Sequence, residues 1–252
     1  MNEAYHIVIP ARMASERLPG KPLAEIKGKP LLEYVYRRAM DASAALVVIA
    51  TDDERILSAG ERFGAKVVMT SADHTSGSDR IAECAESLGW PGDTLIVNLQ
   101  GDEPLMPAPC LDQVAALLAG EPDADMASLY WPIDSEQEVR DPNIVKVVTA
   151  NDGTALSFSR SAIPYPRRWG SIDQALKAGF TWKRHIGLYA YRARSLHDFS
   201  RATQGRLEQT ERLEQLRVLE TGGRIVMAEA AQFIPPGVDT PEDLERVRSL
   251  VK

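Results

Sequence analysis

Four short stretches of this chain carry residue types that handle phosphates and hard metal ions. IPARMASERLPGKPL, residues 9–23, spaces Arg12, Arg17 and Lys21 between Pro10, Pro19, Gly20 and Pro22. Cations held on a proline-fixed path suit a polyphosphate, and the competing reading is a set of solvated surface charges. NLQGDEPL, residues 98–105, offers Asp102 after a glycine that lets a ligand approach the backbone, a pattern suited to a hard cation or to a plain acidic turn. Glu103 precedes Pro104 and is expected to face away. HTSGSDR, residues 74–80, presents Ser76, Ser78 and Arg80, which either recognise a base or ribose or merely cap a helix. GVDTPEDL, residues 237–244, contains Asp239, which taken alone reads more simply as a helix cap than as a ligand.

These residues need elements to hold them. Apolar runs at 5–9, 46–50, 66–69 and 94–99 read as strands, and amphipathic stretches at 30–42, 53–63, 78–88 and 108–118 read as helices. Such a β-α-β-α rhythm with near-continuous apolar strands predicts a parallel sheet covered on both faces, an α/β fold. Ligands of such sheets bind beyond the carboxyl ends of the strands. The loop of about 20 residues after Ile9 is too long for a plain connection and is expected to wrap a ligand. After about residue 123 the rhythm changes to MASLYWPI, NIVKVVTA, ALSFSR and HIGLYAYR, with an irregular 165–182 segment between them. Mixed strands and a protruding lobe at about 130–215 are expected, within a single domain spanning 1–252. One helix is expected around 208–220, with Leu213, Leu216 and Leu219 on its core face and Glu214 and Gln215 on a flank. Asp-Thr-Pro-Glu then starts a last helix.

Composition narrows the field. A net charge of -7 argues against a general nucleic-acid or membrane-surface binder, so any anion site must be a local concentration of cations. Cys84 and Cys110 fit neither a disulfide framework nor a zinc spacing, and the four histidines form no HxxxH pair. The N-terminal segment lacks a signal-peptide pattern and no apolar run reaches a membrane span, so a cytoplasmic protein is expected. Neither a GxxxxGK[ST] loop nor a GxGxxG turn occurs.

Taken together, IPARMASERLPGKPL, ATDDERI, MTSADHTSGSDR, IVNLQGDEPL, NIVKVV, LSFSRSAIPY, RHIGLYAYR, LEQLRVLE and GVDTPEDLERVR resemble the 3-deoxy-manno-octulosonate cytidylyltransferase (CMP-Kdo synthetase) family. The likeness runs in order from residue 7 to about 248. It implies a nucleotide-diphospho-sugar transferase (glycosyltransferase-A-like) fold with a smaller mixed-strand dimerisation lobe, and a homodimer. The implied reaction is Mg²⁺-dependent transfer of CMP from CTP to the anomeric hydroxyl of 3-deoxy-D-manno-octulosonate (Kdo), for lipopolysaccharide. By the same resemblance Arg12, Arg17 and Lys21 hold the triphosphate, and Ser76, Arg80 and Gln100 lie near the nucleotide. Asp102 and Asp239 bind the metal, while Arg160, His185, Glu214 and Gln215 take the sugar, the first two opposite its carboxylate. Arg12, Lys21, Asp102 and Asp239 form the implied catalytic set.

Departures from the family pattern fall at Met13, Glu16 and Ser78, and the 165–182 segment resembles little. The competing readings are a transferase for a related acidic sugar (8-amino-Kdo or a sialic acid) and a non-catalytic nucleotide-binding subunit. A pyrophosphorylase for neutral sugar phosphates fits less well, since its loop is glycine-rich. A shared metal requires Asp102 and Asp239 to stand closer than about 8 Å, given Mg–O bonds of ~2.1 Å.

Overall fold

The computed structural model describes residues 4–15, 17–74 and 76–251, so Glu16 lies outside the described residues. Strand β1 (Tyr5–Ala11) enters the long loop, which contains a single 3-10 turn at Lys21–Leu23. A small hairpin, β2 (Glu25–Ile26) and β3 (Lys29–Pro30), then leads into α1 (Leu31–Met40). Next come β4 (Leu46–Thr51), α2 (Glu54–Arg62), β5 (Lys66–Met69), α3 (Gly77–Ser87), β6 (Leu95–Asn98) and α4 (Ala108–Ala119). The helix starts follow the expected chemistry: Asp53 accepts from the Arg55 amide, and Ser76 forms a reciprocal capping box with Asp79.

The second half runs through β7 (Met126–Ile133), α5 (Glu136–Arg140), β8 (Lys146–Thr149), β9 (Ala155–Ser159), α6 (Ile172–Lys177) and β10 (Trp182–Arg192). It closes with α7 (Ala193–Arg201), α8 (Arg206–Glu211), α9 (Gln215–Glu220), β11 (Ile225–Glu229) and α10 (Pro241–Leu250). The sheet has nine strands with main order β11-β7-β10-β6-β1-β4-β5, and β8 and β9 branch from β10. Along the main path only β10 runs against its neighbours. The fold is therefore α/β around a mostly parallel sheet, as the alternation of apolar runs requires.

Because side chains alternate along a strand, neighbouring residues feed two cores. Ile7, Ile9, Ile49 and Val97 pack with α1, α2 and α4 on one face. Val8, Val48, Ala50 and Ile96 pack with α3, α7 and α9 on the other. A third cluster joins Ile26 and Leu31 to Val238, Leu244 and Val247, so the terminal helix clamps the hairpin that follows the cation loop.

Two expectations need correction. The single helix at 208–220 is broken: Arg212 ends α8 with φ 52°, and Glu214 sits at the start of α9. The break has a physical reason in the buried ion pair from Arg217 to Glu208, with bonds of 2.5 and 2.7 Å. Nine residues apart, the two would be separated by about 13 Å along a straight helix. The 165–182 segment is not irregular throughout, because Ser171 caps α6 by accepting from the Gln174 amide. Ile172 and Ala175 of that helix form a separate small core with Ile133, Val139 and Trp182.

Candidate active site

The site is assembled at the carboxyl end of the parallel strands by three backbone segments. Gly20, in the left-handed region at φ 72°, turns the chain into the Lys21–Leu23 turn, and buried Pro22 anchors it. Gly101 follows β6 where a Cβ atom would stand 2.9 Å from the Pro10 carbonyl oxygen. That glycine therefore serves the packing of two strand-end loops, and it also lines the cleft. Gly237 is equally constrained, since a Cβ there would meet the Asp102 carbonyl oxygen at 2.9 Å. The Val238 amide donates to that same carbonyl at 2.8 Å, which lays the segment before α10 directly over Asp102.

Asp239 is thus brought beside Asp102 although 137 positions separate them. Lys21 Nζ donates to Asp102 Oδ2 at 2.6 Å and to Asp239 Oδ1 at 3.1 Å. The two bonds limit the separation of the accepting oxygens to less than about 6 Å, inside the bound that a shared ion sets. Arg17 reaches Asp239 Oδ2 at 3.1 Å from the solvent side. The cap reading of Asp239 is corrected here: Thr240 caps α10 in a capping box with Asp243, leaving the Asp239 side chain free for the cleft.

Burial alone would lower the Lys21 pKa, but Asp102 and then Asp239 raise it on balance. Glu103 turns toward Arg184 and the Gly237 segment, in a small cavity beside the site. Burial, then the charges of Asp102 and Asp239, push its pKa up to about 8. Asp102 and Asp239 are the two carboxylates that meet at the Lys21 ammonium. Among the described residues no three His, Cys, Asp or Glu side chains cluster as a metal cage. A two-carboxylate donor set fits magnesium, which takes its other ligands from substrate phosphates and water.

Around this point lies a 960 Å³ cleft lined by the opening loop, the α3 start, β10 and the α8–α9 junction. Arg12 lines it, is exposed and has no hydrogen bond or ion pair among the described residues. Ser76 lines it while its hydroxyl caps α3, and Gln100 lines it while its amide donates to Asn98. Arg80 reaches the same wall, but its guanidinium is buried against Asp52 at 2.8 Å and bonded to Thr70. Glu214 and Gln215 line the opposite side. Burial raises the Glu214 pKa against the pull of the Ser78 hydroxyl, which donates to it. Gln215 is buried and its Nε2 has no partner among the described residues.

Two expected sugar contacts are not brought to this cleft. Arg160 donates to the carbonyls of Glu211 and Pro142 at 2.7 and 3.0 Å, and it does not line the cleft. His185 lies in an adjoining 240 Å³ cavity with Glu103 and Arg184, and burial pushes its pKa down to about 3. A neutral imidazole would offer a sugar a hydrogen bond rather than a charge. Conversely, Tyr189 and Tyr191 line the cleft unremarked by the motif reading. Burial raises both phenol pKa values, so each keeps its proton as a donor. Their i, i+2 spacing at the end of HIGLYAYR was the available signal, since it puts both on one strand face. Arg212 also lines the cleft, from the break between α8 and α9.

With the geometry in place, comparison with known proteins identifies the class. The profile of the family described as cytidylyltransferase matches residues 6–225, and the chain belongs to that family. Within it, the chain is 51% identical over its whole length to the 3-deoxy-manno-octulosonate cytidylyltransferase of Pseudomonas fluorescens strain Pf-5, and covers all of that protein. It is 52% identical, again over both full lengths, to the enzyme of that name from Pseudomonas syringae pv. tomato. Among solved structures, CMP:2-keto-3-deoxy-manno-octonic acid synthetase complexed with CTP aligns with TM-score 0.89 at 41% identity, covering 98% of each chain. The fold is thus the nucleotide-sugar transferase fold of that synthetase. A cytidylyltransferase from Leptospira borgpetersenii, at 18% identity and TM-score 0.61, covers 98% of this chain and 86% of its own, and shares the fold alone.

Proposed function

We propose that this protein transfers CMP from CTP to the anomeric hydroxyl of Kdo, releasing pyrophosphate and supplying activated sugar for lipopolysaccharide, with Mg²⁺ as cofactor. The observation that carries the reading is the meeting of Lys21, Asp102 and Asp239 at one point of an open cleft, in a chain of this family. Arg12, Arg17 and Lys21 lie along the opening loop, where they can hold triphosphate oxygens and steady the departing pyrophosphate. The sugar oxygen bonds to the α-phosphorus as the bond to the bridging oxygen breaks, and the hydroxyl proton passes to water. Magnesium held by Asp102 and Asp239 would neutralise the α-phosphate and lower the pKa of the attacking hydroxyl.

On the sugar side, the Gln215 amide, whose nitrogen has no partner among the described residues, and the Tyr189 and Tyr191 hydroxyls offer donors to an acceptor rich in hydroxyls. Ser76 and Gln100 lie on the nucleotide side, with Arg80 fixing the wall behind them. The test is pyrophosphate release across four nucleoside triphosphates and a panel of octulosonic and nonulosonic acids. Release with CTP and Kdo above all other pairs is expected. No release with any acid sugar contradicts the reading.

A homodimer formed through the 130–215 lobe is part of the proposal. Its support is the apolar surface carried there by Leu156 and Tyr165, which are 63% and 75% exposed. We assign the protein to the cytoplasm, in keeping with the finding that no helix among the described residues is long and apolar enough to cross a membrane.

A further inference from the structure

The chemistry above gives Lys21 a triphosphate to hold and gives Asp102 and Asp239 a metal ion. In the structure these three side chains are instead bonded to one another. The Lys21 ammonium is the inner partner, with its side chain 15% exposed, whereas Arg17 meets Asp239 from outside and is 66% exposed. An exposed guanidinium pair is screened and easily exchanged, but an enclosed ammonium between two carboxylates is a competitor for any other cation.

We propose that Lys21 is a resident counter-cation of the metal site, keeping a bare divalent ion out until nucleotide arrives. Triphosphate oxygens then draw the ammonium away, and the same exchange frees both carboxylates. The order of loading is thus nucleotide first, or nucleotide with its metal, and never metal alone. The inference rests on the assignment of Asp102 and Asp239 as metal ligands.

The experiment is a Mn²⁺ titration of the full chain without nucleotide, read as loss of the free-ion electron paramagnetic resonance signal. Lys21→Met, of similar length without the charge, should bind Mn²⁺ at least tenfold more tightly than the unaltered protein. Lys21→Gln should do the same, and thermal melts of both confirm a folded chain. Arg12→Met removes a cation that has no ion pair among the described residues from the same cleft and should change Mn²⁺ affinity far less. Equal affinity in Lys21→Met and the unaltered protein overturns the proposal, as does an equal gain in Arg12→Met, which reduces the effect to general field. The double variant Lys21→Met/Asp102→Asn separates the two levels of inference. Loss of the tightened binding supports the site, while binding as tight as in Lys21→Met means that the ion is not on this pair, and both assignments fall.

Discussion

Asp239 and Thr240 are neighbours with separate tasks, and their separation makes the metal reading testable. Thr240 holds the helix cap, so Asp239→Asn alters a cleft oxygen and leaves α10 capped. Both Asp102→Asn and Asp239→Asn should lower kcat at least a hundredfold, about 2.7 kcal/mol in the barrier, with little change in melting temperature. Retained activity in either variant removes it from the catalytic set. Gln215→Ala deletes the buried amide whose nitrogen has no partner among the described residues. It should raise the KM for Kdo much more than that for CTP, and equal effects on the two would contradict the division of the cleft. His185 makes a prediction about pH. Its folded pKa, about 3, is below the ordinary 6.5, so an unfolded chain takes a proton that the folded chain refuses. This contribution is intact above pH 6.5 and is lost as pH falls toward 3. Chemical denaturation of His185→Gln should therefore show a shallower loss of stability across that window.

At the scale of elements, the loops that meet at the site are held by close backbone contact rather than by many side chains. Gly237→Ala places a methyl 2.9 Å from the Asp102 carbonyl oxygen, so the segment must shift outward. We expect a cost of about 1–3 kcal/mol in denaturant titration, with a disproportionate fall in kcat because Asp239 moves with it. Full activity in that variant would show that the segment has slack. The parallel half of the sheet was legible because its strands are buried on both faces and read as apolar runs. The helix starts at Asp53 and Ser76 were legible because each cap acts within one turn of chain, whereas the last cap falls on Thr240, one residue past the Asp239 expected. The break at Arg212 was not, since its cause is a pairing of Arg217 with Glu208 that only tertiary structure reveals. The α6 start was readable in Ser171 and Gln174 but was hidden by the polar, aromatic surroundings of 165–182. Within the site, the opening cations and the two aspartates were legible as types at strand ends. What they bond to was not, because Lys21, Arg17 and Arg80 each found an acidic partner far away in sequence.

For the molecule as a whole, the lobe is where assembly should be decided. Leu156 lies on β9, which pairs only with β8 and leaves its other edge without a strand among the described residues. Leu156→Asp should shift sedimentation at micromolar concentration from dimer toward monomer, and a monomeric unaltered protein at that concentration excludes the dimer. The terminal helix has a different bearing on how this protein comes into being. Its residues Leu244 and Val247 pack on Ile26 and Leu31, and Arg248 donates twice to the Glu25 carbonyl. Every strand of the sheet precedes this helix, because β11 ends at Glu229. A ribosome therefore releases all the material for the sheet before the second aspartate is made. A nascent or clipped chain stopping near residue 235 can build that sheet and still hold only one of the two carboxylates. The proposed pair of metal ligands is thus completed only by a segment made after the sheet, and a copy that stops short of Asp239 should be chemically silent.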